Sequence, residues 1–375
     1  MSESGAAGPW FCDANAGAPA LPDVLEEFLA TEQRFFGNPS STHAAGRRAR
    51  GALEQARERI AAALEVDAAG VVFTSGGTEA ANLAVRGLGD VTLPVLFGDV
   101  EHPAVREAAS RRGAVLWTVD ATGTVEVTQP AQPVGLVALV HAQSEVGTLQ
   151  PVDAAASVAA ALDVPMFVDA AQTVGRVPVR PLFDAGAAVA VSPHKFGGLR
   201  GHGLLVGEQL QSRLQPLLAG GGQELGLRPG TQSVALAAAN ALAVERAVQE
   251  QAQRASDMRR NREAFLDALR EHGGDYRSLT PVDRSLPNTI MLCFEGVDGR
   301  HLLPALDLAG VQASHGSACS SGSPTAPRVL SSMSVSEQDA QSCIRFSFGW
   351  SDQREQLAEA GRVVAHVVAR LCKKK

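Results

Sequence analysis

Short apolar runs alternate with helix-prone segments through the first half of the chain. The runs span three to five residues and are rich in β-branched side chains: 71–74, 94–97, 136–140, 166–168 and 188–191. Because almost no polar residue interrupts them, we expect strands that are buried on both faces of a mostly parallel sheet. The intervening segments, such as 153–162, are rich in alanine and predict helices. This alternation predicts an α/β fold with a doubly wound sheet, in which ligands bind at the carboxyl ends of the strands.

The second half of the chain predicts a smaller unit. Residues 232–271 contain few helix breakers and predict one long helix that links two domains. Strands and helices then alternate again, as strand 289–294, helix 301–308, strand 344–347 and helix 352–371. We therefore expect a large domain at 15–250 and a smaller α+β domain built from 1–14 and 251–375.

Composition narrows the class of protein. The chain has 375 residues, 45% of them hydrophobic and 19% charged, which is typical of a globular protein with a large core. The net charge of -7 argues against a nucleic-acid partner. Five cysteines without a CxxC pair argue against a zinc site and are consistent with a reducing compartment. Residues 1–9 lack the features of a signal peptide, and no apolar run reaches the roughly 18 residues of a membrane span. We expect a cytoplasmic protein with no metal, no nucleic-acid partner and no membrane association.

Polar residues with complementary chemistry follow two of the predicted strands. Asp169 and Gln172 come after one, and Ser192, His194 and Lys195 come after the next. Pyridoxal phosphate needs such a set: a lysine for the Schiff base, a carboxylate for the pyridinium nitrogen, and hydroxyl and imidazole groups near the phosphate. Gln172 could reach the phenolic oxygen of the cofactor. The competing interpretations are an aspartate that caps the next helix and a surface lysine.

Two further segments could complete such a site. The run 74–79 follows a strand and opens a helix, where Gly77 allows close backbone approach and the helix N-terminus attracts phosphate. The alternative is an ordinary helix capped by Thr78. His102 follows the strand at 94–97 and could stack on an aromatic ring or move a proton. A single histidine is nevertheless more often structural.

Two residues near the C-terminus carry different chemistry. Cys319 lies in 314–322, a loop of small residues, and a nucleophilic thiolate needs that kind of access. The other cysteines are expected to be buried and inert. Arg345 lies in the alternating run 344–347 and could bind a carboxylate through two parallel hydrogen bonds. A cross-strand ion pair is the alternative.

In their order along the chain, these motifs resemble the cysteine desulfurases of the NifS/IscS type. That family belongs to the class V aminotransferase group of fold-type I pyridoxal-phosphate enzymes. The resemblance runs from about residue 11 to the final helix. It includes residues 36–43, 73–82, 101–102, 141–150, 168–172, 192–203, 220–231, 287–288, 314–321 and 344–349. It implies a large cofactor-binding domain and a small domain that carries the cysteine loop.

The resemblance implies a role for each cofactor-site residue. Lys195 would bind pyridoxal 5'-phosphate covalently, and His102 would stack on its ring. The ring would also contact Asp169 and Gln172, and the phosphate-binding residues would be Gly77, Thr78, Ser192 and His194. Thr231 would complete the phosphate site of the other subunit, which implies a homodimer with shared active sites.

The implied reaction converts L-cysteine to L-alanine. Arg345, with Asn38 nearby, would hold the substrate carboxylate, and Lys195 would remove the α-proton. Cys319 would take the sulfur as a persulfide and pass it to an acceptor protein of unknown identity, with His102 as a candidate acceptor of the substrate thiol proton. Iron–sulfur cluster assembly is the process in which the family typically works. Two alternatives stay open: a selenocysteine lyase or other β-lyase with the same cofactor, and a catalytically weak regulator that binds a sulfur-transfer partner.

The chain departs from the family pattern at several points. Ser144 replaces an asparagine that hydrogen-bonds the cofactor, and serine is shorter. Gln223 and Leu225 replace the usual histidine and arginine. The chain ends at Lys375 without the extension that docks an iron–sulfur scaffold protein. These departures weaken the expected partner more than the expected chemistry.

Overall fold

The computed structural model describes residues 9–316 and 326–372. In chain order the elements are β1 (Trp10–Phe11), α1 (Pro22–Arg34), α2 (Ala44–Leu64), β2 (Val71–Thr74), α3 (Gly77–Gly87), β3 (Val95–Gly98), α4 (Pro103–Arg112), β4 (Ala114–Trp117), β5 (Leu136–Val140), α5 (Val152–Ala161), β6 (Met166–Asp169), α6 (Arg180–Asp184), β7 (Ala188–Val191), β8 (Gly203–Val206), α7 (Leu210–Arg213), α8 (Val234–Gln249), α9 (Gln251–Glu271), β9 (Arg277–Ser278), β10 (Thr289–Cys293), α10 (Gly299–Leu308), β11 (Val311–Gln312), α11 (Arg328–Ser332), α12 (Glu337–Gln341), β12 (Cys343–Ser347) and α13 (Arg354–Cys372). Among these described helices, none has the length and apolar character needed to cross a lipid bilayer.

A seven-stranded sheet forms the centre of the large unit. Its strand order is β2-β8-β7-β6-β5-β3-β4, and only β8 runs antiparallel to its neighbours. The predicted mostly parallel sheet is therefore confirmed. The sequence did not predict β4, an edge strand with two exposed residues, or β8, which begins in a glycine-rich segment. The carboxyl ends of β3, β5, β6 and β7 meet at one edge, as the parallel arrangement requires.

Each central strand contributes side chains to two hydrophobic cores. In β5, Val137 and Leu139 face one core, whereas Leu136 and Ala138 face the other. Because consecutive side chains of a strand point to opposite faces, this division shows that both faces of the sheet are covered. Continuous apolar runs are the sequence pattern that such strands produce.

The predicted single helix at 232–271 is instead two helices. α8 and α9 meet at Glu250, whose φ of -93° and ψ of 3° lie outside the helical range. Its carboxylate accepts hydrogen bonds from Arg246 and Arg254, and the buried Arg254 also donates to the carbonyl of Phe196 at 3.0 Å. The bend therefore has polar contacts on both sides, which a pattern of apolar residues does not reveal.

A separate hydrophobic core supports the smaller unit. The antiparallel sheet β12-β10-β9 and the parallel pair β1-β11 pack with α9, α10 and α13. Phe265 lies against Phe346 and Phe348, with ring centroids 4.9 and 5.1 Å apart. At Gly361 a Cβ would lie 2.3 Å from the carbonyl oxygen of Phe265, so glycine lets α13 approach α9. β1 joins this core, which supports assigning residues 1–14 to the smaller unit. The division into 15–250 and 1–14 plus 251–375 stays our proposal. Its boundary falls at the Glu250 bend.

Candidate active site

A cavity of about 290 Å³ lies at the carboxyl ends of the parallel strands. Its lining includes most of the site residues predicted from the sequence: Gly77, Thr78, His102, Ser144, Asp169, Gln172, Ser192, His194, Lys195 and Arg345. Asn38 and Thr231 are exposed and do not line this cavity. Cys319 lies outside the described residues. The structure thus brings ten predicted residues around one cavity, and their roles stay predictions.

A buried carboxyl group lines the cavity, and a second buried carboxyl group lies near it. Asp169 is the last residue of β6, is 8% exposed, and accepts a hydrogen bond from the Ala171 amide at 2.9 Å. Glu101 is 5% exposed and accepts from the Val140 amide at 2.5 Å, and its second oxygen has no partner within the described residues. Burial, followed by the charge of Asp169, raises the pKa of Glu101 well above its usual range. This favours the neutral form of Glu101. Residues 101–102 belong to the family resemblance, but no role was expected for this glutamate.

Lys195 ends a single helical turn that follows β7. Its Nζ donates hydrogen bonds to the carbonyl oxygens of Asn15 at 2.6 Å and Ala16 at 2.9 Å. The lysine is therefore half-buried, with its ammonium group held at the cavity wall by the segment that follows β1. The alternative of an ordinary surface lysine is wrong.

Asn15 is a hydrogen-bonding centre that the sequence analysis missed. It is 1% exposed, and its Nδ2 donates to the Ser144 carbonyl at 3.0 Å and to Thr289 Oγ1 at 2.8 Å. Its Oδ1 accepts from Arg176 at 2.8 Å and from Asn288 at 3.0 Å. One side chain therefore connects the cofactor-side loops with the small sheet. A polar residue four positions after a short apolar strand was the only available signal.

Arg176 extends this network behind the cavity. It is 2% exposed and donates to Gln172 Oε1 at 2.6 Å and to the carbonyl oxygens of Ala14 and Lys195 at 3.2 and 3.3 Å. Burial, followed by the charge of Arg345, lowers the pKa of Arg176 to about 9. The Gln172 amide also donates to the Asn15 carbonyl at 3.1 Å. The amide of Gln172 is therefore fixed from both ends.

The N-terminus of α3 forms one end of the cavity. The helix begins at Gly77, so Gly76 is its N-cap and the alternative of a Thr78 cap is wrong. A Cβ on Gly77 would lie 2.3 Å from Ser192 Oγ. The glycine therefore keeps a hydroxyl and helix amides close together, as an anion site requires.

Two histidines border the same cavity. Burial, followed by the charges of Lys195 and Arg200, lowers the pKa of His194 to about 4, so its ring is neutral at pH 7. His102 is the N-cap of α4, and its Nδ1 accepts a hydrogen bond from the Ala104 amide at 3.1 Å. In the neutral ring of His102 the proton is therefore on Nε2.

Arg345 reaches the cavity from β12. It is 3% exposed, and its Nη atoms donate to the Ser144 carbonyl at 3.0 Å and to Asp13 Oδ1 at 2.5 Å. Its Nε is buried without a partner among the described residues. Arg345 therefore does form an ion pair, as the alternative interpretation expected, and its guanidinium also borders the cavity. Asp13 was not expected as the partner of Arg345 from the sequence.

The segment that carries Thr231 is anchored by a buried ion pair. Glu224 is 4% exposed and accepts from Arg57 at 2.8 and 2.9 Å, from the Phe73 amide at 2.9 Å and from Gln232 at 2.8 Å. The Arg57 guanidinium also lies over the Phe73 ring, 4.5 Å from its centroid. The segment before Thr231 is therefore attached to α2 and β2.

Asn38 occupies a different environment from the predicted substrate site. It is exposed, and its Oδ1 accepts a local hydrogen bond from the Ser40 amide at 2.9 Å. Leu225 is 54% exposed, on the same loop as Glu224. In a single chain, neither residue can contribute to the cavity.

A lysine, a buried carboxylate and a glycine-opened helix N-terminus around one cavity define a site of the pyridoxal-phosphate type. The chain belongs to the aminotransferase class-V family, whose model matches residues 10–359. Enzymes of this family depend on pyridoxal phosphate.

The comparisons with known proteins extend over nearly the whole chain. A protein of Dictyoglomus turgidum named cysteine desulfurase IscS is 33% identical over 374 residues, covering 96% of this chain and 95% of that protein. A solved structure of a NifS-like protein matches with a TM-score of 0.85 at 29% identity, covering 96% of this chain and 99% of that one. A structure of SspA in complex with cysteine matches with a TM-score of 0.76 at 28% identity, covering 90% and 98%.

Proposed function

We propose that this chain is a pyridoxal-phosphate-dependent cysteine desulfurase. It converts L-cysteine to L-alanine and transfers the sulfur through a persulfide on Cys319 to an acceptor protein. The observation that carries the proposal is the arrangement of Lys195, Asp169 and Arg345 around one cavity in a chain of this family. The similarity to a protein that binds cysteine supports the same substrate.

The residues of the cavity fit pyridoxal phosphate. The absence of a Cβ at Gly77 leaves room beside Ser192 for an anion at the start of α3. Phosphate would be held there, together with Thr78 and the neutral His194. Asp169 would pair with the ring nitrogen and Gln172 would contact the phenolic oxygen. When bound, the cofactor withdraws electrons from the substrate Cα and so stabilises negative charge there.

The other ring contacts are assigned to His102 and Ser144. His102 would stack on the ring, since α4 fixes its position at the cavity. The backbone carbonyl of Ser144 is occupied by Asn15 and Arg345, so only its hydroxyl is left to replace the usual asparagine.

The chain supplies the groups that move protons. Lys195 takes the α-proton of the substrate once its amine is released from the cofactor, and the carbonyls of Asn15 and Ala16 hold that amine at the cavity wall. Arg345 binds the substrate carboxylate, with Asn38 as a further contact from a partner subunit. His102 is the candidate acceptor of the substrate thiol proton. Because Nε2 of its neutral ring already carries a proton, Nδ1 would take it after releasing the Ala104 amide.

The sulfur step then needs no external oxidant. The Cys319 thiolate attacks the substrate sulfur, the carbon–sulfur bond breaks, and its electron pair stays with the carbon. Protonation of that carbon gives the methyl group of alanine, and Cys319 keeps the sulfur as a persulfide.

We also propose a homodimer with shared sites. Thr231 is exposed and outside the cavity of its own chain, but the Arg57–Glu224 pair fixes its segment. Mixing Lys195→Ala and Thr231→Ala subunits tests this proposal. If Thr231 acts across the interface, each mixed dimer has one intact site and regains activity. Activity no higher than the sum of the two separate variants would argue against shared sites.

The acceptor protein is not identified by the site, and its role in iron–sulfur cluster assembly is part of the proposal. We further propose a cytoplasmic location, which the free thiols of Cys12, Cys293, Cys343 and Cys372 support. The acidic net charge of -7 supports the expectation that nucleic acid is not a partner.

The decisive experiment follows sulfur and cofactor separately. Wild type, Cys319→Ala and Cys372→Ala are incubated with L-cysteine, and alanine is quantified while intact mass reports any persulfide. Cys372 is the control cysteine: it is exposed, so the expectation that it is buried was wrong. Loss of alanine formation in Cys319→Ala alone is expected, and unchanged turnover in that variant would refute the persulfide mechanism. Lys195→Ala should lose the absorbance of covalently bound cofactor.

The same assay distinguishes the neighbouring reactions. Turnover of selenocysteine but not cysteine would favour a selenocysteine lyase. A wild-type protein that takes up no pyridoxal phosphate would favour a regulator.

A further inference from the structure

Two cysteines face each other across the small sheet. Cys293 ends β10 and Cys343 begins β12, and the two residues are direct partners in the antiparallel register. Arg277 of the edge strand β9 is the partner of Cys293 on its other side. Directly opposite residues of antiparallel strands share one face. Arg277, Cys293 and Cys343 therefore form a row across three strands.

The rung that joins the two cysteines has the geometry a disulfide requires. The adjacent rung is hydrogen-bonded, since the Phe294 amide donates to the Ser342 carbonyl at 3.1 Å. Because the two kinds of rung alternate, Cys293 and Cys343 form a non-hydrogen-bonded pair, for which Cα atoms are about 4.5 Å apart. Disulfides span Cα separations of about 4.4–6.8 Å.

The two sulfur atoms also converge on one acceptor. Cys293 Sγ and Cys343 Sγ donate to the same carbonyl oxygen of Asp339, at 3.5 and 3.2 Å. Both residues are fully buried and neither is in a disulfide. No group of the proposed desulfurase mechanism uses this pair.

The electrostatic environment differs between the two thiols. A hydrogen bond with Cys343 lowers the pKa of Cys293, burial opposes it, and the Arg277 guanidinium, whose Nη2 is 4.0 Å from Cys293 Sγ, lowers it further. The same hydrogen bond, together with burial, raises the pKa of Cys343. One thiol is therefore suited to react first and the other to remain protonated.

A surface ion pair, between Arg277 and Asp339, lies on the β9 side of the thiols. The side chains of Arg277 and Asp339 are 44% and 41% exposed and lie 3.0 Å apart. Exposed pairs of this kind hold their geometry weakly. Arg277 can therefore move away from Cys293 at little cost.

We propose that Cys293 and Cys343 form a redox-active dithiol that a low-molecular-weight disulfide oxidises to an intrachain disulfide. The Cys293 thiolate attacks one sulfur of the small disulfide, giving a mixed disulfide and releasing one thiolate. Cys343 loses its proton and attacks Cys293 Sγ, which forms the Cys293–Cys343 bond and releases the second small thiol. The two protein thiols are oxidised by two electrons, and the small disulfide is reduced to two thiols.

The position of this pair connects it to the cavity. The next rung on the same face is Met291–Arg345, and the one after it is Thr289–Ser347. Arg345 donates to the Ser144 carbonyl, and both Thr289 and Ser347 accept hydrogen bonds from Asn15. The bond would also close the segment 294–342, which contains Cys319. The dithiol itself does not depend on the proposed reaction.

Cys12 provides an internal control. It is fully buried, like the pair, but burial and the charges of Asp352 and Asp13 raise its pKa. Among the described residues no thiol is its partner across a strand. It should therefore stay reduced under conditions that oxidise Cys293 and Cys343.

Disulfide mapping of the cofactor-loaded enzyme tests the proposal. The protein is equilibrated with hydroxyethyl disulfide at graded ratios to its thiol, quenched with an alkylating agent, digested without reduction and analysed by mass spectrometry. We expect a linked peptide pair containing Cys293 and Cys343 that disappears on reduction, while Cys12 is recovered alkylated. Cys12→Ser should form the same link. A linked pair no more abundant than links to Cys12 would overturn the proposal.

An arginine pair tests the activation of Cys293. Arg277→Gln keeps a side chain of similar length beside the thiol but removes the charge, so it should slow formation of the link several-fold. Arg300→Gln, which changes an arginine 58% exposed and paired with Asp298, should not. Equal rates in wild type and Arg277→Gln would refute the role of Arg277. Cys293→Ser should abolish the link. If that variant does not fold, Arg277→Gln still provides the kinetic test in a chain with both thiols.

Discussion

Glu224→Gln is the most direct test of how the Thr231 segment is held. The Glu224 side chain has no solvent exposure, and its carboxylate accepts two hydrogen bonds from Arg57 at 2.8 and 2.9 Å. Glutamine keeps the shape but removes the charge and turns an NH₂ group toward Arg57 or Gln232. Removing one partner of a buried ion pair costs about 3–5 kcal/mol, because the other charge stays buried. We expect the free energy of unfolding to fall by about that amount.

The pH dependence of this loss follows from the pKa of Glu224. Burial raises that pKa, but hydrogen bonds and charge from Arg57, with further hydrogen bonds from Gln232 and the Phe73 amide, lower it below its usual value. A carboxyl group whose pKa is lower in the folded state stabilises the fold fully above the unfolded-state pKa of about 4.3. That stabilisation is lost as the pH falls through the folded-state pKa. The difference between wild type and Glu224→Gln should therefore be constant near pH 7 and shrink below about pH 4.

Urea denaturation of both proteins measures the difference, and an exposed pair provides the control. Asp267 and Arg270 lie 2.8 Å apart on α9, with 62% and 58% of their side chains exposed. Asp267→Asn should change the free energy of unfolding by only about 0–1 kcal/mol. Equal losses of unfolding free energy in the two variants would show that burial does not determine how much the Arg57–Glu224 pair stabilises the fold.

Three further predictions concern the cavity. Asn15→Ala removes four side-chain hydrogen bonds, one of them from the Arg176 guanidinium. It should lower the free energy of unfolding by about 2–4 kcal/mol in urea denaturation. A loss below about 0.5 kcal/mol would contradict the role of this network. Gly77→Ala places a Cβ 2.3 Å from Ser192 Oγ and should weaken cofactor binding about tenfold in an absorbance titration, whereas unchanged affinity would mean that the cofactor binds elsewhere. Arg345→Lys loses the planar fork and should raise KM for L-cysteine about tenfold or more while the cofactor absorbance is retained; an unchanged KM would remove it from the substrate site.

Parallel strands explain why so much of the site was predictable. Once the apolar runs define the strands, the residues after each run must meet at one edge of the sheet. Asp169 and Lys195 are found together for this reason, although they belong to different strands. The prediction needed only local patterns and the rule that parallel strands end on the same side.

Asn15 shows where that reasoning stops. The backbone amide of Asn15 donates to Ser347 Oγ, 332 positions along the chain. Contacts at such separations leave no periodicity in the sequence, and a lone asparagine after a two-residue strand has many possible environments. The bend at Glu250 was missed for a similar reason, since the neighbouring Arg254 is also held by the carbonyl of Phe196, 58 positions away in the chain.

The sequence left two interpretations of Arg345 open, a substrate-binding residue and a member of an ion pair, and the two are compatible. In the structure Asp13 pairs with its guanidinium, and this carboxylate keeps a buried positive charge from being left alone. If Arg345 binds the substrate, as we propose, an incoming carboxylate replaces one carboxylate contact with another of the same kind. The exchange leaves the guanidinium paired in both states, whereas a substrate without a carboxylate would have to leave the Asp13 contact in place. The ion pair therefore supports substrate selection rather than competing with it as an explanation of Arg345.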